Sequence, residues 1–426
     1  MSQFDPLERD LAAWFSATAL PQTPANFEAT LRLTARTRQR PRWTFLESLL
    51  PMTATTSIRG AIPSVPWRAA GLLALLLLAF VIGVILTAGM QRRVPAPFGP
   101  AGTGLVTYSS DGDIFTVDRA GGEPRPIVAG PSDDVNPQWS RDGTKLVFER
   151  LVDRGLRSLL FVVNHDGTGL TQITPEPLSV ADDPTSADYM FSPDGTEVLF
   201  VSRSRLQIAY ADGRGLRPLA FLSDVEATEA AYRPSNGSQI AFFGPDFVIY
   251  LADLESQTVR PLVPRAQHDA RQYLTWSPDG SALGYQGWFD APTFTVRAHI
   301  YDVERGEDRL ADPDADIYWD ALPVWSNDGQ RLSLYRGYED AYNDVTVAII
   351  NADGTGTVAE TPHGEAFMWE CCSVLEWAPD DTAILLARAD QLATLHAQVV
   401  IDPRTGSVSD APWPATSDPS WQRLPH

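Results

Sequence analysis

The chain has 426 residues, 44% of them hydrophobic and 20% charged, with a formal net charge of −21. That composition is globular and excludes extended disorder, and the length holds two or three domains or one large repeat fold. Residues 1–66 carry seven Arg against five acids and residues 67–100 add three Arg, so removing +2 and +3 from the total leaves −26 on residues 101–426. A domain so negative repels phosphate, which excludes nucleic acid as its partner and favours basic, cationic or metal partners.

The N-terminal tail, residues 1–66, opens on a helix start. Asp5 is a capping residue, Pro6 stands at the first helical position and Glu8 at the third. Leu7, Leu11, Trp14 and Phe15 then fall on one face, and Thr23-Pro24 begins a second short helix through Phe27 and Leu31. Two such helices bury little by themselves, so they need a surface to dock on. Arg36, Arg38, Arg40, Arg42 and Trp43 mix cations with an aromatic and suit either anionic membrane lipid or a cytoplasmic protein partner. Residues 5–52, with their Thr37-Arg38-Gln39-Arg40-Pro41 run, resemble the leading segment of bacterial single-pass proteins that carry a propeller. Some of those proteins resemble anti-sigma factors in layout, which implies a signalling role. The His-x-x-x-Cys-x-x-Cys zinc signature of many anti-sigma domains is absent here.

Ala69 to Met90 is a run of 22 residues without a charge. At about 1.5 Å per residue it spans roughly 33 Å, matching a hydrocarbon core of about 30 Å. Trp67 and Arg68 flank one end and Arg92 and Arg93 the other, where interfacial anchors belong. The expectation is a transmembrane helix over 67–91, a linker over 92–103, and a bacterial plasma-membrane protein. The arginines of the short tail place the N-terminus in the cytoplasm and residues 104–426 outside.

The remainder is periodic. Trp139-Ser140-Arg141-Asp142-Gly143, Phe191-Ser192-Pro193-Asp194-Gly195, Trp276-Ser277-Pro278-Asp279-Gly280 and Trp325-Ser326-Asn327-Asp328-Gly329 recur, with weaker copies at Tyr232 and Trp377 and a last aromatic at Trp421. Asp and Gly after an aromatic are hairpin-turn chemistry, and four short strands per repeat of this length make a propeller blade. The Trp-Ser-Pro-Asp-Gly signature resembles that of TolB-like β-propellers. The resemblance implies an all-β fold over 104–426, with seven blades, or six if one weak repeat is miscounted. Leu105–Tyr108, Asp113–Val117 and Arg125–Val128 supply three strands without an aromatic anchor, and Trp421 supplies that anchor. One blade is thus expected to be closed by both ends of the domain.

In propellers the links between blades share one face, and here those links are acidic. The candidate ligand-binding residues are Asp134, Asp183, Asp188, Glu229 and Asp320, with the aromatics Trp288, Trp319, Tyr338 and Trp369. Carboxylates ringed by aromatics suit a cationic peptide, a sugar or a bound cation, and they also suit a plain solvated rim. Asp312, Asp314 and Asp316 have oxygen-ligand spacing for calcium, without the Gly and Glu that complete an EF-hand loop. Cys371 and Cys372 are adjacent and form either a vicinal disulfide or two thiols.

No Gly-x-Ser-x-Gly elbow or phosphate-binding glycine loop appears, and five residues follow Trp421. The expectation is therefore a non-enzyme that needs no cofactor beyond the calcium option. It would be an extracytoplasmic binding module for an envelope glycan or protein. The alternatives are a signalling regulator reporting through the tail and a propeller hydrolase.

Overall fold

The computed structural model describes residues 98–426 except 180–188, 235–236, 264–268, 271–272, 290–294, 314–317, 339–340, 364–374, 390–394, 414–418 and 425–426. The expectations for the tail and for the apolar run 69–90 lie outside the described residues. Among these residues no helix is long and apolar enough to cross a membrane.

The repeat turns form as their chemistry dictates. In the first, Ser140 Oγ donates to the Asp142 carboxylate at 2.6 Å, and the same carboxylate accepts the Thr144 N–H at 3.1 Å. Gly143 has φ +67, and a Cβ there would collide with the Arg423 carbonyl. The pattern recurs at Ser192 and Asp194, Ser277 and Asp279, and Ser326 and Asp328. Each turn therefore closes a hairpin in one fixed register.

Seven antiparallel sheets result, so the seven-blade count holds and the six-blade alternative falls. Blade 1 orders its strands Ser420–Leu424, Gly102–Ser110, Asp113–Val117, Arg125–Val128, which joins both ends of the domain in one sheet. The inner strands of blades 2 to 4 are Asp134–Trp139, Tyr189–Phe191 and Ala230–Tyr232. Blade 5 begins with Asp269–Ala270 and Thr275–Trp276, blade 6 with Tyr318–Trp325 and blade 7 with Glu376–Trp377. Blade 3 departs from the four-strand expectation: its sheet has three strands, ending at Arg205–Tyr210.

The strands bury both faces, because each blade is sandwiched between two others. Leu146 and Phe148 pack toward blade 1, whereas Val147 packs toward blade 3. Ile240 and Phe242 face blade 3, and Ala241 and Phe243 face blade 5. The core is thus seven separate apolar layers, one for each blade-to-blade contact. Cross-strand ring stacks repeat at the same place in four blades: Tyr108 on Phe115, Phe148 on Phe161, Phe242 on Tyr250 and Tyr285 on His299. Such pairs each add roughly 0.5–1.5 kcal/mol beyond area burial.

Polar bonds tie the turn end of one blade to the next. Gln422 donates to the Gly143 carbonyl at 2.8 Å, Lys145 to Gly195 at 3.0 Å, Arg233 to Gly280 at 2.7 Å and Asn327 to Ala378 at 2.9 Å. Three inner strands carry a left-handed residue three positions before the anchor tryptophan: Asn136 (φ 54), Tyr273 (φ 65) and Leu322 (φ 52). These bulges separate the turn end from the loop end, where the inner strands begin and the acidic links lie.

Candidate functional site at the loop end of blade 6

Arg336 lies on the second strand of blade 6, Arg331–Tyr338, directly opposite Asp320 on the inner strand. It is the largest fully buried side chain among the described residues. Its guanidinium meets Asp320 through Nε at 2.9 Å and Nη2 at 3.1 Å, a two-point contact. Nη2 also reaches Asp312 at 2.8 Å, Nη1 donates to Thr357 at 3.0 Å, and Glu360 stands 3.8 Å away. Burial pushes the Asp320 carboxyl up, and this outweighs the attraction of Arg336. Burial alone would lower the Arg336 guanidinium, yet its bond to Asp320 holds it above its ordinary value.

Aromatic groups stand around this charge cluster. The Tyr318 hydroxyl donates to Asp312 at 2.8 Å and its ring lies 3.7 Å from the Arg336 guanidinium carbon. The Tyr338 hydroxyl donates to Glu360 at 2.8 Å, and Thr346 donates to the same oxygen at 2.6 Å. Tyr338 meets Tyr318 edge-on at 5.9 Å and His363 at 5.1 Å. Burial and the Glu360 bond push the Tyr338 phenol up to about 12, so it stays a neutral donor at physiological pH. Arg297 donates to the Tyr318 carbonyl and lies close enough to favour ionised Asp320. Asp312, Asp320 and Glu360 against Arg297 and Arg336 leave the cluster one negative charge in excess.

A second, simpler pair stands at the matching place in blade 2. Asp134, fully buried, meets Arg150 at 2.7 and 2.8 Å, and Arg150 lies 4.4 Å from the centre of the Phe161 ring. Both pairs hold the start of an inner strand to its neighbour, two residues before the bulge.

Of the residues expected from sequence, the structure brings together Asp312, Asp320 and Tyr338. Trp319 is beside them in sequence but packs into the apolar layer between blades 6 and 7, against Gly337. Asp134 is apart, in blade 2. Glu229 in blade 4 accepts the backbone N–H groups of Tyr273 and Leu274 at 2.5 Å each, so it caps the blade 5 bulge. Trp288 lies in a strand, opposite Val296 and Asp269, rather than in a loop. Asp183, Asp188, Trp369, Asp314, Asp316 and the tail residues Arg36, Arg38, Arg40, Arg42 and Trp43 lie outside the described residues. Asp312 already holds Arg336 and Tyr318 through Oδ2, so a calcium ion there would compete with both.

Sequence reasoning passed over Arg336, Arg150, Tyr318, Arg297 and Glu360. One signal was available for the first two: each Arg follows its anchor tryptophan by eleven residues, as each Asp precedes it by five.

No family model matches the chain. No curated protein matches it either. Solved structures do. The chain is similar to TolB from Acinetobacter baumannii at 15% identity, with 85% of this chain and 74% of that one covered and a TM-score of 0.44. It is similar to an oligogalacturonate lyase from Vibrio parahaemolyticus at 11% identity, covering 73% of this chain and 84% of that one, with a TM-score of 0.51. At such identities the likeness is one of fold. The chain is a seven-bladed β-propeller.

Proposed function

We propose that the chain is a membrane-anchored binding module whose propeller presents the blade 6 cluster to a cationic group on an envelope ligand or protein partner. The observation that carries this reading is the carboxylate in excess of guanidinium: Asp312 and Asp320 are buried with Arg336, while Glu360 stays partly exposed beside Tyr338 and His363. The Tyr338 phenol donates to Glu360, which leaves its ring electron-rich and suited to a cation, whereas the Tyr318 ring is taken by Arg336. The carboxylates are held in ion pairs and hydrogen bonds, an arrangement that fixes a rim for recognition. Anchoring rests on the uncharged run 69–90 and its arginine flanks, and the propeller on the outer side of the membrane rests on the arginine-rich tail.

The test is titration of the full chain in detergent with a trilysine peptide and a triglutamate peptide at fixed ionic strength. Trilysine is expected to bind, and Tyr338→Leu to weaken it about 5-fold, equal to ~1 kcal/mol. Equal response to both peptides, or no effect of Tyr338→Leu, sinks the reading. Deleting residues 69–90 is expected to move the chain from the membrane to the soluble fraction.

A further inference from the structure

Blades 2 and 6 carry the same Asp–Arg pair, and the residues beside it differ in a way that changes its chemistry. In blade 2, Phe161 stands opposite Phe148 on one neighbouring strand and Gln172 on the other. Its ring lies 4.4 Å from the Arg150 guanidinium carbon, and Arg150 holds one carboxylate, Asp134. Charge in that pair is balanced. In blade 6 the matching register places Ala348 opposite Leu334 and Glu360. A methyl group therefore replaces a ring, and a carboxylate replaces a neutral amide on the strand beside it. Arg336 does not match the added charge, because its guanidinium is given to Asp320 and Asp312.

The two oxygens of Glu360 are used unequally. Oε1 accepts the Tyr338 hydroxyl at 2.8 Å and the Thr346 hydroxyl at 2.6 Å, which fills both of its lone pairs. Oε2 accepts no hydrogen bond among the described residues. Arg336 Nη1 stands 3.8 Å from it and donates to Thr357 instead. The Glu360 side chain is 22% exposed, against 3% for Asp312 and 2% for Asp320. Glu360 is thus the carboxylate of the cluster that an outside group reaches, and it offers Oε2.

We propose that Glu360 and Tyr338 select a primary alkylammonium, the end group of a lysine side chain, over guanidinium, quaternary ammonium and divalent metal. The proposal rests on the reading above, that the cluster receives a cation, and narrows it to one chemical class. An ammonium is compact and carries rotatable donors on a flexible stem, so a single open oxygen suits it while the Tyr338 ring faces its charge. A guanidinium fork needs two acceptor oxygens side by side, and Oε1 has no lone pair to give. A trimethylated ammonium has no N–H for Oε2. Calcium requires several oxygen ligands at once.

The experiment titrates the full chain in detergent, at fixed ionic strength, with three tripeptides blocked at both ends: trilysine, triarginine and the trimethyllysine analogue. Trilysine is expected to bind at least about 10-fold tighter than the other two. Glu360→Gln keeps one acceptor oxygen for Tyr338 and Thr346 and is expected to abolish that preference, with circular dichroism reporting the fold. Tyr338→Phe keeps the ring and releases a lone pair on Oε1, so a fork then finds two oxygens. In that variant triarginine is expected to gain about 5-fold relative to trilysine. A preference for triarginine or for the trimethylated peptide, or a ratio that Tyr338→Phe leaves unchanged, overturns the proposal. Equal binding of all three peptides removes the choice of ammonium and leaves the cation reading standing. If none of the three binds, the cation reading falls and the proposal falls with it.

Discussion

Arg336 is surrounded by groups that were taken out of water together, and its removal separates their fates. Asp320 and Asp312 are 2% and 3% exposed in their side chains and both depend on the one guanidinium. Breaking a buried pair from one side leaves an uncompensated charge, which costs ~3–5 kcal/mol. Arg336→Met is therefore expected to lower the urea midpoint by an amount equivalent to that range. Asp320→Asn should cost less, since Arg336 keeps Asp312 and the amide still accepts a bond. Glu149 in blade 2 gives the opposite sign. It is 2% exposed, and burial pushes its carboxyl up despite the bond from Asn136. A carboxyl raised in the folded state binds its proton more tightly there than in the unfolded chain. The stability tied to that proton is complete below the unfolded value, ~4.3, and is lost as pH rises through the raised folded value. Glu149→Gln is thus expected to raise the thermal midpoint at pH 7–8, with the gain vanishing near pH 4. A constant gain at both pH values would place the effect in packing instead.

The inner strands are the elements on which the ring turns, and their bulges need partners. The blade 5 bulge turns two consecutive amides, Tyr273 and Leu274, toward Glu229 of blade 4. One carboxylate serves both, and charge-assisted bonds of this kind are worth ~1.5–3 kcal/mol each. Glu229→Ala should cost ~2–4 kcal/mol in a denaturant series, and Glu229→Gln less, because an amide offers one acceptor oxygen. If Glu229→Ala is neutral, the bulge finds other partners and the cap is incidental. Sequence marked Glu229 as part of a ligand face, and the reason for the difference is physical. Charge and loop position are local properties, whereas a bond to a neighbouring blade depends on a register 44 residues away. The Ser-x-Asp-Gly turns were legible for the converse reason: every bond that shapes them lies within five residues. The absent fourth strand of blade 3 was not legible, because the repeat still supplies a plausible segment there.

At the scale of the whole molecule, seven apolar layers close a ring against a charge of −26 on residues 101–426. Seven blades could be counted from seven aromatic anchors, and closure could be read from an anchorless start and an anchor-bearing end. The pairing of Gly102–Ser110 with Ser420–Leu424 is that closure. Net charge works against it, since like charges on one compact body repel. Surface repulsion reaches ~30 Å at 0.01 M salt and ~3 Å at 1 M, so the folded state gains most from screening at low ionic strength. Raising sodium chloride across that range is expected to raise the unfolding midpoint of the full chain in detergent, steeply at first and then little. The buried Arg336 network lies beyond the reach of mobile ions, so the deficit of Arg336→Met relative to the unmodified protein should persist at high salt. A deficit that fades with salt would mean that the cluster is open to solvent, and the rigid rim on which cation recognition depends would go with it.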